Sequence, residues 1–189
     1  GRTVGLVATN PMFSAGAMGP DACAKCTSFI VLCDSFNIPL VFFHDTPGFF
    51  VSKAAEQRGM PGKIINFIEA LALATVPKVA VVVRKSYGMA YGNLAGAGMG
   101  ADFVFAWPGA DISFMAPGVA VNVIAPASQS TDPAVLAAHA ARQAELREEL
   151  QSASTPWRAA GLGCARVAAA VQCALLAAPL PISAALLAV

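Results

Sequence analysis

The residues best suited to chemistry lie in one stretch, 85–92, where an apolar strand runs into small residues. Gly88, Ala90 and Gly92 would let a substrate approach the backbone closely. Amides at the start of the helix that follows are unpaired and point outward, which suits a developing oxyanion such as an enolate or a tetrahedral intermediate. Small residues also allow a helix to pack closely on a sheet, and the residues alone leave both interpretations open.

A second candidate is the turn Asp45-Thr-Pro-Gly48, which follows the predicted apolar strand 39–44. GTPases sense magnesium and the γ-phosphate with a strand that ends in Asp-x-x-Gly. A nucleotide site also requires a Gly-x-x-x-x-Gly-Lys-[Ser/Thr] loop, and the sequence has none. We therefore interpret 45–48 as a tight turn, in which proline presets φ and glycine supplies a positive φ.

Side chains that could act as nucleophiles or metal ligands are few. The sequence has no Gly-x-Ser-x-Gly elbow, and its two histidines, His44 and His139, are too few for a His-rich metal site. Cys23 and Cys26 form one Cys-x-x-Cys, but no second pair follows at zinc spacing. Both fall in the predicted helix 21–36, so we interpret them as small core residues of a protein in a reducing cytosol. No metal is expected.

The elements that must position these turns alternate along the chain. Short apolar runs predict strands and helical spacing predicts helices. The predicted strands are 3–8, 39–44, 79–83, 103–106 and 112–115, and the predicted helices are 21–36, 63–75, 93–99 and 133–151. This order, with continuous apolar strands, predicts an α/β fold with a parallel sheet covered on both faces. Ligands bind such sheets at the carboxyl ends of the strands, where 45–48, 85–92 and 116–118 would lie.

Composition limits the class of partner. Of the 189 residues, 57% are apolar and 12% are charged, against about 45–50% and ~25% in an average soluble chain. Disorder is therefore excluded. The net charge is +1 and lysine and arginine form no cluster, so nucleic acid is not expected as a partner. The apolar excess requires a membrane, a large partner interface or a tail that is not native sequence.

The two ends of the chain carry further signals. The sequence begins without methionine or a signal-peptide pattern, so we expect a cytoplasmic protein cut from something longer. Segment 167–189 has no formal charge and is long enough to span a membrane. Pro179 and Pro181 interrupt it, and alanine makes it only weakly hydrophobic. No membrane is therefore expected as a partner.

Four motifs that occur in order carry a family resemblance. They are NIPLVFFHDTPGF (37–49), ATVPKV (74–79), VRKSYGMAY (83–91) and FAWPGADISFM (105–115). Together they resemble the carboxyltransferase (β) subunit of biotin-dependent acyl-CoA carboxylases, of the propionyl-CoA and methylcrotonyl-CoA type. The resemblance runs from Gly1 to Gly163. It implies a crotonase-like (ClpP/crotonase) fold of stacked ββα units, with residues 1–163 as the C-terminal carboxyltransferase domain.

The resemblance also implies a reaction, the transfer of CO2 from carboxybiotin to the α carbon of an acyl-CoA. Family members hold the biotin ureido oxygen with the Gly-Ala amide pair of a Tyr-Gly-Gly-Ala-Tyr turn. Here the turn reads Tyr87-Gly-Met-Ala-Tyr91, so the catalytic amides would be those of Met89 and Ala90. The implied substrate-binding residues are Tyr87, Gly88, Tyr91, Gly92, Asp45, Pro47 and Gly48.

No catalytic side chain is needed in this scheme, because aimed amides stabilise the enolates of biotin and of the thioester. Asp45, Arg84, Lys85 and Tyr87 are expected to shape the site. Propionyl- and acetyl-type enzymes usually carry aspartate after Ala-Tyr, where this chain has Gly92. A larger or branched acyl group is therefore conceivable.

The implied partners complete the site. A homologous N-terminal carboxyltransferase half would supply most acyl-CoA contacts and the first oxyanion hole. A biotin carboxylase and biotin carrier subunit would deliver carboxybiotin, and active sites would form between copies of a homo-oligomer. Two alternatives stay open: a biotin-dependent decarboxylase or transcarboxylase that uses the same site, and an inactive truncated fragment.

The sequence departs from the family pattern after Gly163. The family continues with an acidic strand and an Asp-Pro-x-x-Thr-Arg segment, whereas here no acid follows Glu149 and Arg166 is the last charge. Our hypothesis is a shifted reading frame, which makes 164–189 an atypical apolar tail without evolved structure. Alanine propensity would favour a helix at 167–177. The rival hypothesis is an apolar helix that docks on a partner.

Overall fold

The computed structural model describes residues 1–167 and 184–188. Within these residues, seven parallel strands form one sheet in the order β6-β4-β3-β2-β1-β7, and β5 pairs with the far end of β3. The strands are β1 (Val4–Ala8), β2 (Leu40–Thr46), β3 (Lys78–Tyr87), β4 (Phe103–Ala106), β5 (Asp111–Ser113), β6 (Arg166–Val167) and β7 (Ala184–Ala188). The predicted parallel α/β sheet is therefore confirmed.

Helices connect the strands. They are α1 (Pro20–Ser35), α2 (Lys53–Gln57), α3 (Met60–Leu73), α4 (Met89–Asn93), α5 (Pro117–Ile124), α6 (Pro133–Ala153) and α7 (Pro156–Gly161), with a 3₁₀ turn at Ser14–Gly16. Local chemistry sets several starts. The Ser52 hydroxyl caps α2 by accepting from the N–H of Ala55, and the Asp132 carboxylate caps α6 by accepting from the N–H of Ala134.

One face of the sheet packs against α1 and α3 to form the core. Its fully buried side chains include Ile30, Leu40, Phe42, Phe67, Leu71 and Val82. The strand β1 carries glycine where α1 approaches, because a Cβ on Gly5 would lie 2.6 Å from the Cys33 sulfur. Cys23 and Cys26 are buried free thiols in this core, and burial raises the pKa of Cys23 to about 11. The core interpretation of these cysteines is confirmed.

The second face of the sheet differs from the expectation. Cover on both faces was predicted, but Leu6, Val41 and Phe43 on this face are half-buried, whereas their neighbours Val7 and Phe42 are fully buried. The described part of the chain therefore leaves this apolar face partly accessible. Among the described helices, none combines the length and the apolar character that a membrane span requires.

The predicted helix 93–99 is wrong. The helix in this region is α4, which begins at Met89 and ends at Asn93. Ala95, Gly98 and Gly100 have φ of 62°, 75° and 107°, values that no α-helix accommodates, so turns follow. Helices α2, α5 and α7 were not predicted. The predicted helix 167–177 lies outside the described residues apart from Val167, which belongs to β6.

Candidate functional site

Two turns lie side by side at the carboxyl edge of the sheet. One follows β2 and the other follows β3, and Thr46 pairs with Ser86 in the strand register. A Cβ on Gly48 would lie 3.9 Å from the carbonyl oxygen of Tyr87. The start of α5 follows β5, which pairs with the end of β3. All three predicted loops therefore meet at this edge.

The first turn, 45–48, closes on itself. The buried Thr46 hydroxyl accepts from the N–H of Gly48 and donates to its carbonyl oxygen, both at 3.1 Å. The same carbonyl accepts from the N–H of Met18 at 3.1 Å. Gly48 has φ of 128°, a conformation that favours glycine. Both polar groups of Gly48 are thus satisfied inside the chain.

The second turn, 88–90, leaves two amides without an acceptor among the described residues, and we call these the open amides and the turn the open turn. Gly88 has φ of 59° and ψ of −143°, and its N–H donates to the carbonyl of Ser113 at 2.9 Å. Within residues 1–167 and 184–188, the N–H groups of Met89 and Ala90 have no hydrogen-bond acceptor. These two amides begin α4, as the first turn of a helix requires. Met89 is exposed, whereas Ala90 is fully buried. Two adjacent amides of this kind can donate to one oxygen atom that carries negative charge.

Tyr87 ends β3 just before this turn and is buried. Its hydroxyl donates to Asp111 Oδ2 at 2.5 Å. Burial, and then the hydrogen bond to the Asp111 carboxylate, raise the pKa of Tyr87 well above its ordinary value. The hydroxyl therefore stays protonated and engaged with Asp111, and it does not serve as a base.

A surface ion pair lies beside the first turn. The Asp45 carboxylate accepts from Arg84 Nε at 3.1 and 3.0 Å, and the Arg84 side chain is 61% exposed. Exposed pairs of this kind contribute little to stability. Pro47 is exposed and Lys85 is half-buried. These predicted residues lie at the rim of the two turns.

Two predicted binding residues are engaged in internal packing. The Tyr91 hydroxyl donates to the carbonyl of Cys164 at 2.8 Å and accepts from the N–H of Ala97 at 3.0 Å. Gly92 is buried, and a Cβ there would lie 3.4 Å from the Met99 side chain. Tyr91 and Gly92 thus lie in α4 beside the open amides, and the contacts of the Tyr91 hydroxyl and of Gly92 are with other residues of the chain.

The sequence reasoning missed the role of His44, which braces the two turns. Its ring is fully buried, with Nε2 2.7 Å from the carbonyl oxygen of Leu94 and Nδ1 3.0 Å from the Ser86 hydroxyl. A carbonyl only accepts, so Nε2 carries the proton and Nδ1 accepts from Ser86. Burial lowers the pKa of His44 to about 4, which keeps the ring neutral. The position of His44 at the end of a strand, directly before Asp45, was the available signal.

The fold and the site together define a class. The part of the chain that the structure describes holds no group of three or more His, Cys, Asp or Glu side chains that could bind a metal. Two adjacent amides at the carboxyl edge of a parallel sheet are its clearest chemical feature. An arrangement of this kind can act on a ligand through backbone electrostatics.

Comparison with known proteins identifies the family. The model of the carboxyl transferase domain family matches residues 1–169, and the chain belongs to this family. The methylmalonyl-CoA carboxyltransferase 12S subunit of Propionibacterium freudenreichii subsp. shermanii is 40% identical over 156 residues, which are 82% of this chain and 26% of that subunit.

A second relative is the biotin-dependent long chain acyl-coenzyme A carboxylase beta4 subunit of Mycobacterium tuberculosis. It is 45% identical over 108 residues, which are 57% of this chain and 21% of that subunit. The chain thus spans about a quarter of the length of the curated relatives it matches.

Solved structures agree with this assignment. Transcarboxylase 12S, with methylmalonyl-coenzyme A and methylmalonic acid bound, matches 87% of this chain and 31% of its own, with 38% identity and a TM-score of 0.78. The β subunit of geranyl-CoA carboxylase from P. aeruginosa matches 85% of this chain and 32% of its own, with 30% identity and a TM-score of 0.71. The predicted crotonase-like fold and the carboxyltransferase resemblance are confirmed.

Proposed function

We propose that this chain supplies the biotin side of an acyl-CoA carboxyltransferase site. One observation carries the proposal: the amides of Met89 and Ala90 have no acceptor in the described part of the chain, at the end of a strand in a carboxyl transferase domain. The position of this chain as the C-terminal half of a subunit is part of the proposal.

The donor set fits biotin. A ureido oxygen accepts two hydrogen bonds, and two adjacent N–H groups are the matching donors. When bound, carboxybiotin supplies the CO2 and a nitrogen base. The residues of this chain hold the ureido oxygen: the amides of Met89 and Ala90 donate to it, and Gly88 sets the direction of both amides.

These amides contribute most when charge develops on the oxygen, since donors fixed in advance need no reorganisation. Met89 stands where the family turn has glycine. A side chain at this position leaves the N–H in place, because Met89 lies in the helical conformation of α4. Its side chain is exposed and narrows the approach to the turn.

The proposed partners are an N-terminal carboxyltransferase half, a biotin carboxylase with its biotin carrier, and further copies of the chain. Met12, Val51 and Phe114 are 86%, 85% and 81% exposed. These large apolar side chains belong to segments next to the two turns. Exposed apolar clusters of this kind mark protein interfaces.

An acyl-CoA is the proposed second substrate, and Gly92 stays our candidate for acyl-chain choice. The reverse direction is a second candidate function, because one relative is the methylmalonyl-CoA decarboxylase subunit alpha of Propionigenium modestum, 42% identical over 108 residues. The same amides would serve both directions, since one transition state is crossed either way.

The test is the decarboxylation of malonyl-CoA or methylmalonyl-CoA with free biotin. It compares the chain alone with the chain mixed with a carboxyltransferase N-terminal half. We expect biotin-dependent turnover in the mixture and none in either half alone. Absence of turnover for both substrates, in a mixture whose halves are folded and associated, would contradict the proposal and favour an inactive fragment.

A further inference from the structure

The strand β5 borders the open turn and has an unusual attachment. It has three residues, all half-buried. Among the described strands it pairs only with the end of β3, through Lys85 with Asp111, Ser86 with Ile112 and Tyr87 with Ser113. At the first residue after β3, the N–H of Gly88 donates to the carbonyl of Ser113. The position of β5 therefore sets the position of Gly88.

The packing around β5 is incomplete on the side of Asp111. A cavity of about 460 Å³ lies there, and its walls come from the end of β3, the loop before β5 and the junction of α6 with α7. Across this gap, the N–H of Ile112 donates to the carbonyl of Ser154 at 2.8 Å. Directed hydrogen bonds therefore locate β5 along this side.

The strongest of these bonds joins Asp111 to Tyr87. The Tyr87 hydroxyl donates to Asp111 Oδ2, a charge-assisted bond between the first residue of β5 and the last residue of β3. The other carboxylate oxygen, Asp111 Oδ1, is buried and has no hydrogen-bond partner in the described part of the chain. The Tyr87 hydroxyl is thus the one side-chain donor to this carboxylate among the described residues.

Gly88 depends on this arrangement. Its φ of 59° and ψ of −143° are accessible to glycine almost alone, and a Cβ there would lie 2.9 Å from the carbonyl oxygen of Phe114, directly after β5. A shift of β5 would therefore change the turn from which the amides of Met89 and Ala90 project. Small displacements of this kind have large effects on rate.

We propose that Asp111 is a positioning residue, which acts through the Tyr87 hydroxyl to hold β5 and so directs the amides of Met89 and Ala90. The directing role rests on the proposed function, whereas the link from Asp111 to Gly88 does not. The proposal also predicts that removing Tyr87's hydroxyl and removing the Asp111 carboxylate have unequal effects, which can be tested.

The two effects differ because Asp111 Oδ1 already has no partner among the described residues, so the carboxylate depends on the Tyr87 hydroxyl. Tyr87→Phe leaves a buried carboxylate without its donor, whereas Asp111→Ala removes the carboxylate itself. Leaving a buried polar group unsatisfied costs more than removing both partners. Asp111→Ala leaves only the neutral Tyr87 hydroxyl without a partner, which costs less than an unpaired carboxylate. We therefore expect Tyr87→Phe to be the more harmful single change, and the double variant to be more active than Tyr87→Phe alone.

The activity test measures biotin-dependent decarboxylation in the mixture with an N-terminal half. Asp111→Ala and Tyr87→Phe should each lower kcat about 10- to 100-fold, with KM for the acyl-CoA within about twofold. Asp111→Asn keeps an oxygen that accepts from Tyr87 and should restore kcat to within about threefold. Asp34→Ala, which loses a carboxylate at the opposite end of β3, is the matched control and should keep its kcat.

A second readout does not depend on the proposed function. Amide hydrogen exchange in the full chain should become about tenfold faster at Gly88 in Asp111→Ala and Tyr87→Phe, and stay unchanged in Asp34→Ala. If wild-type protein shows no turnover, the proposed function fails and this exchange experiment still decides the role of Asp111. Unchanged Gly88 exchange, or equal loss of kcat in Asp111→Asn and Asp111→Ala, would overturn the proposal.

Discussion

The two turns at the carboxyl edge of the sheet differ in where their hydrogen bonds go. The turn after β2 uses the Thr46 hydroxyl to satisfy both polar groups of Gly48. In the turn after β3, the N–H of Gly88 donates to Ser113 and its carbonyl accepts from Tyr91, and the amides of Met89 and Ala90 have no acceptor in the described residues. The two turns are adjacent, yet the first satisfies the polar groups of its glycine within the chain, whereas the second leaves two amides without an acceptor among the described residues.

The difference teaches how this site is built. A side chain satisfies the hydrogen bonds of the first turn, so the shape of that turn is fixed. The second turn takes its shape from the conformation of its glycine and from the neighbouring strand, so the N–H groups that follow keep no acceptor within the described residues. Glycine by itself does not mark a binding turn, since both turns contain one with positive φ. The distinguishing feature of the second turn is that the N–H groups following its glycine have no acceptor in the described residues.

The largest expected effect comes from Met89→Pro. Proline is tolerated at the first position of a helix, and here it would remove the N–H of Met89 together with its exposed side chain. We expect kcat for biotin-dependent decarboxylation to fall about 10²–10³-fold, the usual result of losing one oxyanion donor. The unfolding free energy should change by less than about 1 kcal/mol in urea titrations.

The matched control is Lys53→Pro. It places proline at the first position of α2, another five-residue helix, whose preceding residue Ser52 is extended. This variant should keep its kcat. Equal activity of the Met89→Pro variant and wild type would remove the distinction between the two turns.

The next effect concerns His44, which joins both strands. Its pKa is lowered to about 4 from an ordinary value of 6.5, so stability is full above pH 6.5 and is lost as the pH falls towards 4. The expected loss for this group between about pH 7 and pH 4 is about 3 kcal/mol. Urea unfolding as a function of pH should show it, and an NMR titration should show a His44 ring that stays neutral at pH 5.5 or so. A ring that titrates near 6.5 would contradict the buried brace.

A smaller effect is expected from Thr46→Val, which tests the closed turn. The variant removes both hydrogen bonds to Gly48 and should lose about 1–2 kcal/mol of unfolding free energy. Thr27→Val is the control, because the Thr27 hydroxyl donates only to the carbonyl of Cys23 within α1. Turnover should fall less than tenfold or so in Thr46→Val. A loss as large as that of Met89→Pro would mean that the first turn also binds the ligand.

The smallest effect is expected at the opposite edge of the sheet. The Asp34 carboxylate accepts from the N–H and hydroxyl of Thr75 and from the N–H of Val76. The Thr75 N–H is the main cause that lowers the pKa of Asp34. This contribution to stability is therefore present above a pH of about 4 and is lost as the pH falls through the folded value.

The test compares wild type with Asp34→Asn in urea at about pH 6 and pH 3. The wild type should be the more stable protein at the higher pH, and the difference should shrink at the lower pH. Turnover should be equal. A difference in stability that does not change with pH would show that the charge of Asp34 is not involved.

Much of the fold could be predicted because its signals are local. The apolar runs of β1 and β2 and the spacing of α1 and α6 required no knowledge of distant contacts. The two turns could also be located, since each follows a predicted strand. Met89 and Ala90 were selected by resemblance, and the structure adds that their amides are open.

The parts that could not be predicted depend on contacts between distant residues. The start of α4 depends on Gly88, whose conformation is fixed by a bond to Ser113. The hydroxyl of Tyr91 finds its partner at Cys164, 73 positions away. The role of Asp111 requires the pairing of β5 with β3. The division after Gly163 and the shifted reading frame stay predictions.

The neutral ring of His44 has a spectroscopic consequence. Because the Nε2 proton is held by Leu94 and Nδ1 by Ser86, the two ring nitrogens differ in chemical shift, and each reports on a different neighbour. Leu94 immediately follows α4, so a ligand that binds the open amides should change the Nε2 resonance. If the proposed function is right, the His44 ring is therefore a native reporter of ligand binding at the second turn, readable without an attached label.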